Sequence, residues 1–146
     1  MFGFLSLAPQ QHPTLGTLVW SKGYWRGSIA LGASGPVPLV LAGNKSGPHA
    51  AAIAEGLRLR DVLALRGDTI GLELQAHAEV YEADPCPASP AEALVAARLV
   101  AVVIAPVDGA IATEFCLTVP WDVEHTLGAR LRDGEWLELN GSTLVP

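Results

Sequence analysis

Hydrophobic and polar positions alternate with a two-residue period near both ends of the chain and lose that period in the middle. In "LGTLVWSKGYWRGSIAL", Leu18 and Trp20 sit between small or polar neighbours, "SKG" breaks the run, and the extended pattern resumes from Trp25 to Leu31. That spacing predicts a hairpin. "PVPLVLAG", Pro36 to Gly43, predicts a third strand whose prolines are confined to its start, where a missing N–H does least harm. The first third therefore reads as a β-meander.

From Gly47 the pattern changes. "GPHAAAIAEGLRLRDVLALRG" is rich in Ala, Leu and Arg, carries Pro48 suited to a first helical turn, and predicts a helix ending at Gly67, with Ile53, Leu57, Arg60 and Ala64 near one face and Leu63 adjacent. "DTIGLELQAHAEVYEA" fits two periods: Ile70, Leu72, Leu74, Ala76, Ala78 and Val80 alternate as in a strand, while Ile70, Leu74, His77 and Tyr81 follow a helical stripe. Its Ala, Glu, Gln and Leu content favours a second helix, capped by Asp68 or Thr69.

Pro85, Pro87 and Pro90 mark a surface loop, and Ser89 before Pro90 reads as the N-cap and first position of a short helix, "PAEALVAA". "RLVAVVIAP" has the β-branched density of a buried strand. Asp108-Gly109 turns it into "AIATEFCLTVP", with Ile111, Thr113, Phe115, Leu117 and Val119 on one face. A last hairpin joins "GARLR" to "EWLEL" through Asp133-Gly134, with Ala129, Leu131, Trp136 or Leu137, and Leu139 facing inward. The expected fold is α+β: a mostly antiparallel sheet with two or three helices inserted between an N-terminal β-meander and C-terminal hairpins. With no internal repeat and no dividing linker, residues 1–146 are expected to form a single domain.

Bulk properties narrow the setting. A chain of 146 residues, half of them hydrophobic, can bury a sizeable core unaided. Cys86 and Cys116 form no CxxC pair, so neither a disulfide framework nor a zinc knuckle is indicated, and a reducing, cytoplasmic setting fits. The start, "MFGFLSLAPQQHP", lacks a basic n-region, and its apolar stretch ends at Pro9, too short for a secretory leader. "LVAARLVAVVIA" is too short for a membrane span and contains Arg98. Nine Lys and Arg against fifteen Asp and Glu give a net charge of −6, and the scattered cations argue against nucleic acid. A basic protein or a bound cation would suit that balance better, but moderate net charge mostly serves solubility, and that explanation is preferred.

Several catalytic motifs fail on their chemistry. "GNKSG" at 43 to 47 lacks the glycine directly before lysine that a phosphate loop needs. "HAE" at 77 to 79 with Pro85 and Cys86 lacks the second cysteine of a zinc deaminase. No GxSxG elbow occurs, no cysteine has an activating context, and no cofactor is expected.

The chemistry-bearing cluster is Asp122, Glu124 and His125. Carboxylates and imidazole are what a Zn, Mn or Fe site or a general base employs, and Glu73, His77 and Glu114 could add ligands. In an extended chain, however, Asp122 and Glu124 point one way and His125 the other. The structural alternative makes Asp122 the acceptor of an Asx-type turn, lets His125 span a buried carbonyl and solvent, and leaves Glu124 solvated. The structural reading is preferred. Four tryptophans, Trp20, Trp25, Trp121 and Trp136, suit a core, with Trp25 beside Tyr24 the exception expected to be exposed and to bind a partner.

Two stretches carry a family likeness. Gly16, Leu18, Trp25, Gly27 and Ile29 form an opening "G-x-L … W-x-G-x-I" hairpin; Trp121, Asp122, Glu124, His125, Leu127, Gly128, Arg130, Asp133 and Gly134 form a closing "W-D-x-E-H-x-L-G-x-R-x-x-[DN]-G" motif. Together they resemble a family of small bacterial proteins carrying a domain of unknown function, and some similar small acidic domains look like immunity proteins. The likeness covers about a quarter of the chain and implies a non-enzymatic binder of a partner toxin in the same cytosol.

Three functional readings follow: a non-enzymatic protein-binding module using Tyr24, Trp25, Asp122, Glu124 and His125; a metal-assisted hydrolase built on Asp122, Glu124 and His125 with Glu73 or His77; and a structural homodimer. The first is preferred.

Overall fold

A computed structural model describes residues 7–32 and 35–145. The opening of "MFGFLSLAPQQHP", residues 1–6, lies outside them. The order of elements is β1 (Gln10–His12), β2 (Gly16–Ser21), β3 (Tyr24–Ala30), β4 (Pro36–Leu41), β5 (Gly43–Asn44), β6 (Gly47–Pro48), α1 (Ala50–Gly56), α2 (Leu59–Val80), α3 (Pro90–Ala96), β7 (Arg98–Val107), β8 (Ala110–Val119), β9 (Asp122–Arg132) and β10 (Glu135–Asn140). The α+β expectation holds, with three helices among the described residues between the N-terminal strands and the C-terminal hairpins.

Eight strands make one sheet in the order β1-β2-β3-β4-β7-β8-β9-β10, and β5-β6 form a separate two-stranded ribbon. Neighbours in the large sheet are antiparallel except β4 and β7, which pair in parallel through Leu39–Val102, Val40–Val103 and Leu41–Ile104. A parallel neighbour needs a long crossover, and the helices supply it. Three hairpin turns hold an X-Gly pair at positive φ: Lys22-Gly23, Asp108-Gly109 and Asp133-Gly134. Positive φ at both central residues matches the twist of the flanking strands.

The central strands are buried on both sides, and their alternation sorts side chains between two layers. Leu39, Leu41, Val102, Ile104, Phe115 and Leu117 join the main core with Leu59, Val62, Ile70 and Leu74 of α2. Val40, Val103 and Cys116 form a smaller cluster with Leu144 and Val145 of the C-terminal tail. Tyr24 packs on that smaller cluster.

Trp25 points the opposite way and is 1% exposed, its indole N–H donating to the Asn44 carbonyl at 2.8 Å. The expectation of an exposed Trp25 is thus corrected: it is a core residue. Gly43 makes room for it, since a Cβ there would lie 3.0 Å from Trp25 Cδ1.

The helix boundaries also differ from expectation. Pro48 belongs to β6, not to a first helical turn, and the helical stretch breaks at Leu57–Arg58, not at Gly67. α2 continues through Gly67, Asp68 and Thr69 to Val80. The penalty of about 1 kcal/mol for an interior helical glycine is offset by packing. The break resets the helical phase, so Leu57, Arg60 and Ala64 face solvent while Leu59, Val62, Ile70, Leu74 and Ala78 face the sheet. At α3 the expectation holds: Ser89 Oγ accepts the Glu92 N–H at 3.1 Å and Pro90 opens the helix. β1 is an edge strand not anticipated from the sequence.

Candidate binding site

The end of α2, the loop into α3, and the β8–β9 turn meet at one end of the sheet. Position 77 is four residues before 81, so His77 in the last turn of α2 and Tyr81 at its C-cap lie one above the other. Their rings stack with centroids 4.4 Å apart and planes 21° from parallel. Across from them the turn at Pro120–Trp121 brings in the Trp121 indole, whose Nε1–H donates to His77 Nδ1 at 2.9 Å. Accepting that proton requires Nδ1 of His77 to be bare, so neutral His77 carries its hydrogen on Nε2. Nε2 lies 3.9 Å from Asp122 Oδ2.

Asp122 is buried and does the work of a hub. Its Oδ1 takes His125 Nδ1 at 2.9 Å and the Glu124 N–H at 3.3 Å. The bond to Glu124 is the expected Asx-type turn. The separation of Asp122 from His125 expected of a regular strand is corrected. The β8–β9 pairing slips between Leu117 and Val119, and Asp122 pairs with Val119. This irregularity gathers side chains that regular alternation would part. His125 meets the Asp122 carboxylate and not a buried carbonyl, with about half of its side chain exposed. Glu124 is exposed, as expected.

Electrostatics follow from this geometry. Burial pushes the Asp122 carboxyl up, but the His125 hydrogen bond and charge, the Glu124 N–H and the Tyr81 hydroxyl outweigh it and hold the group below the ordinary carboxylate value. Burial lowers the His77 pKa; Asp122 opposes that fall and His125 adds to it. Burial raises the Tyr81 phenol, as do the nearby charge and hydrogen bond of Asp122.

The candidate ligands do not assemble as a metal centre would require. Among the described residues no three His, Cys, Asp or Glu side chains are placed to hold an ion. Glu114 is remote from the cluster, fully buried in a cross-strand pair with Arg130 Nε at 2.8 Å. Arg130 also donates through Nη1 to Glu138 at 2.7 Å and through Nη2 to the Ser142 carbonyl at 3.0 Å. Glu114 in turn accepts the Leu144 N–H at 3.0 Å. That row fastens the C-terminal tail across the helix-free face of the sheet.

Beside the Asp122 cluster opens a cavity of about 490 Å³ lined by Tyr81 and Trp121 together with the exposed Glu82, Asp84, Cys86 and Glu92. Sequence reading missed it. The signal within reach was the His77–Tyr81 spacing; the approach of Trp121 to that helix face has no local signature. Its lining contains no lysine, arginine or histidine. The cavity lies within the size range of ligand pockets.

No family model matches the chain, and no curated protein or solved structure matches it either. No described helix is long and apolar enough to cross a membrane.

Proposed function

We propose that the chain is a non-enzymatic protein-binding module, of the immunity type implied by the resemblance of its closing motif, and that it engages its partner through the cavity beside Tyr81 and Trp121. The observation carrying this reading is the pair of aromatic walls beside exposed carboxylates. Tyr81 is 45% exposed although His77 covers one side of its ring, which leaves aromatic surface facing outward. Aromatic anchors in a recess contribute strongly to protein interfaces.

The acid and imidazole groups support this reading by position. His77 holds the wall in place by accepting the Trp121 indole N–H, while the Asp122 carboxylate beside it is occupied by His125 and the Glu124 N–H. A partly buried wall held by a hydrogen bond loses little freedom on binding, which favours affinity.

Affinity capture from the source cell tests the proposal. The wild type is expected to retain one protein that rebinds when purified, and Tyr81→Ala and Glu82→Gln/Asp84→Asn to lose it while remaining folded. Retention by both variants would overturn the assignment of this cavity as the contact site.

A further inference from the structure

We infer that the group entering this cavity is the guanidinium of an arginine side chain on the partner protein, an inference that rests on the binding reading above. The lining supplies Glu82, Asp84 and Glu92, and no cation lines the cavity to neutralise them. Glu92 is partly engaged, its Oε2 accepting the Ala88 N–H at 2.8 Å. An apolar side chain would leave these charges uncompensated, and an anion would be repelled. A cation is the complementary occupant.

The walls choose among cations. Tyr81 and Trp121 both line the cavity, and their rings are held in place: the Tyr81 ring stacks on His77 at 4.4 Å and the Trp121 indole is tied to His77 Nδ1 at 2.9 Å. A planar guanidinium stacks on an aromatic face while its edge donates to carboxylates, which a compact ammonium cannot do simultaneously. The net charge of −6 also draws a basic partner toward the molecule.

The test uses the peptide Ac-Gly-Arg-Gly-NH2 and the same peptide with citrulline, which keeps the shape of arginine and removes its charge. Two readouts report on the cavity: the Trp121 indole N–H resonance, assigned with Trp121→Phe, and the alkylation rate of exposed Cys86 in its lining. The arginine peptide is expected to shift the resonance saturably at millimolar concentration and to slow Cys86 alkylation. Citrulline should bind about tenfold more weakly, a difference of about 1.4 kcal/mol, and Glu82→Gln/Asp84→Asn should erase the preference.

Equal responses to the two peptides, or none, would overturn the inference, as would tighter binding of free agmatine than of the peptide, which would assign the cavity to a small cation. The two proposals fail separately. A partner lost with Tyr81→Ala but indifferent to arginine leaves the binding site standing and removes the guanidinium; arginine selectivity with undisturbed partner capture leaves a guanidinium pocket but overturns its assignment to the partner protein.

Discussion

The Trp121 indole N–H ends on Nδ1 of His77, 2.9 Å away, so a residue of the β8–β9 turn and a residue in the last turn of α2 share one proton. Trp121→Phe keeps an aromatic side chain but removes the N–H donor and part of the packed indole, leaving a partly buried acceptor unpaired. The expected cost is about 1 kcal/mol of unfolding free energy, measured by urea denaturation, together with weaker binding at the adjacent cavity. Unchanged stability would show that the bond holds nothing.

This link should also respond to pH. The folded-state pKa of His77 is lowered from 6.5, chiefly by burial, so over the interval between the folded and unfolded values the unfolded chain binds more protons. The His77 contribution is therefore complete above the unfolded value and is lost as pH falls through the folded one. Asp122, also lowered in the folded state, loses its contribution at more acidic pH by the same logic. Denaturation midpoints followed from pH 7 downward should fall, and His77→Gln should flatten the upper part of that slope. A wild-type profile identical to that of the variant would refute the assignment.

The strands and turns were legible in the sequence because alternation and X-Gly pairs are local signals: the Asp133-Gly134 turn and the Ser89 cap fall where the residues place them. The helix break was not legible, because Gly67 looks like a terminus and is tolerated only through tertiary packing. Asp122 and His125 were found as chemistry, but their meeting depends on a slipped strand register. The Glu114–Arg130–Glu138 row was hidden similarly, since the irregularity between Trp136 and Glu138 brings Glu138, not Leu137, opposite Arg130.

Two glycines of α2 should respond oppositely to alanine. At Gly67 a Cβ would meet only the Leu94 side chain, 3.4 Å away, in ordinary contact. Gly67→Ala is expected to stabilise by about 0.5–1 kcal/mol. At Gly71 a Cβ would collide with the Pro90 backbone carbonyl, forcing α3 off α2. Gly71→Ala is expected to destabilise by about 1–3 kcal/mol. Thermal unfolding of both variants checks the pair, and shifts of the same sign would contradict the packing.

Removing the Arg130 side chain should be far more damaging than any surface change. Arg130→Met leaves Glu114 fully buried without its cation, at an expected cost of about 3–5 kcal/mol. Glu114→Gln/Arg130→Met, which removes both charges, should recover part of that loss. A double-mutant cycle in urea measures it, and strict additivity would argue against direct coupling.

The two thiols should differ sharply. Cys86 is exposed, whereas the Cys116 thiol is pushed well up by burial, with the nearby Glu114 charge adding to the rise. In native protein Ellman's reagent should modify Cys86 promptly and reach Cys116 only on unfolding. Two equally fast thiols would contradict the packing around Cys116.

The lone parallel pairing of β4 with β7 divides the assembly of the sheet into unequal tasks. β1 to β4 form one run of sequential hairpins and β7 to β10 another, each closed by short loops. Their junction instead encloses residues 42–97, a far larger entropic loop to close before Leu39 and Val102 can meet. The two meanders can thus gain structure from local contacts, while their docking carries the larger closure cost. Substitutions at the Leu39–Val102 seam should accordingly slow refolding most.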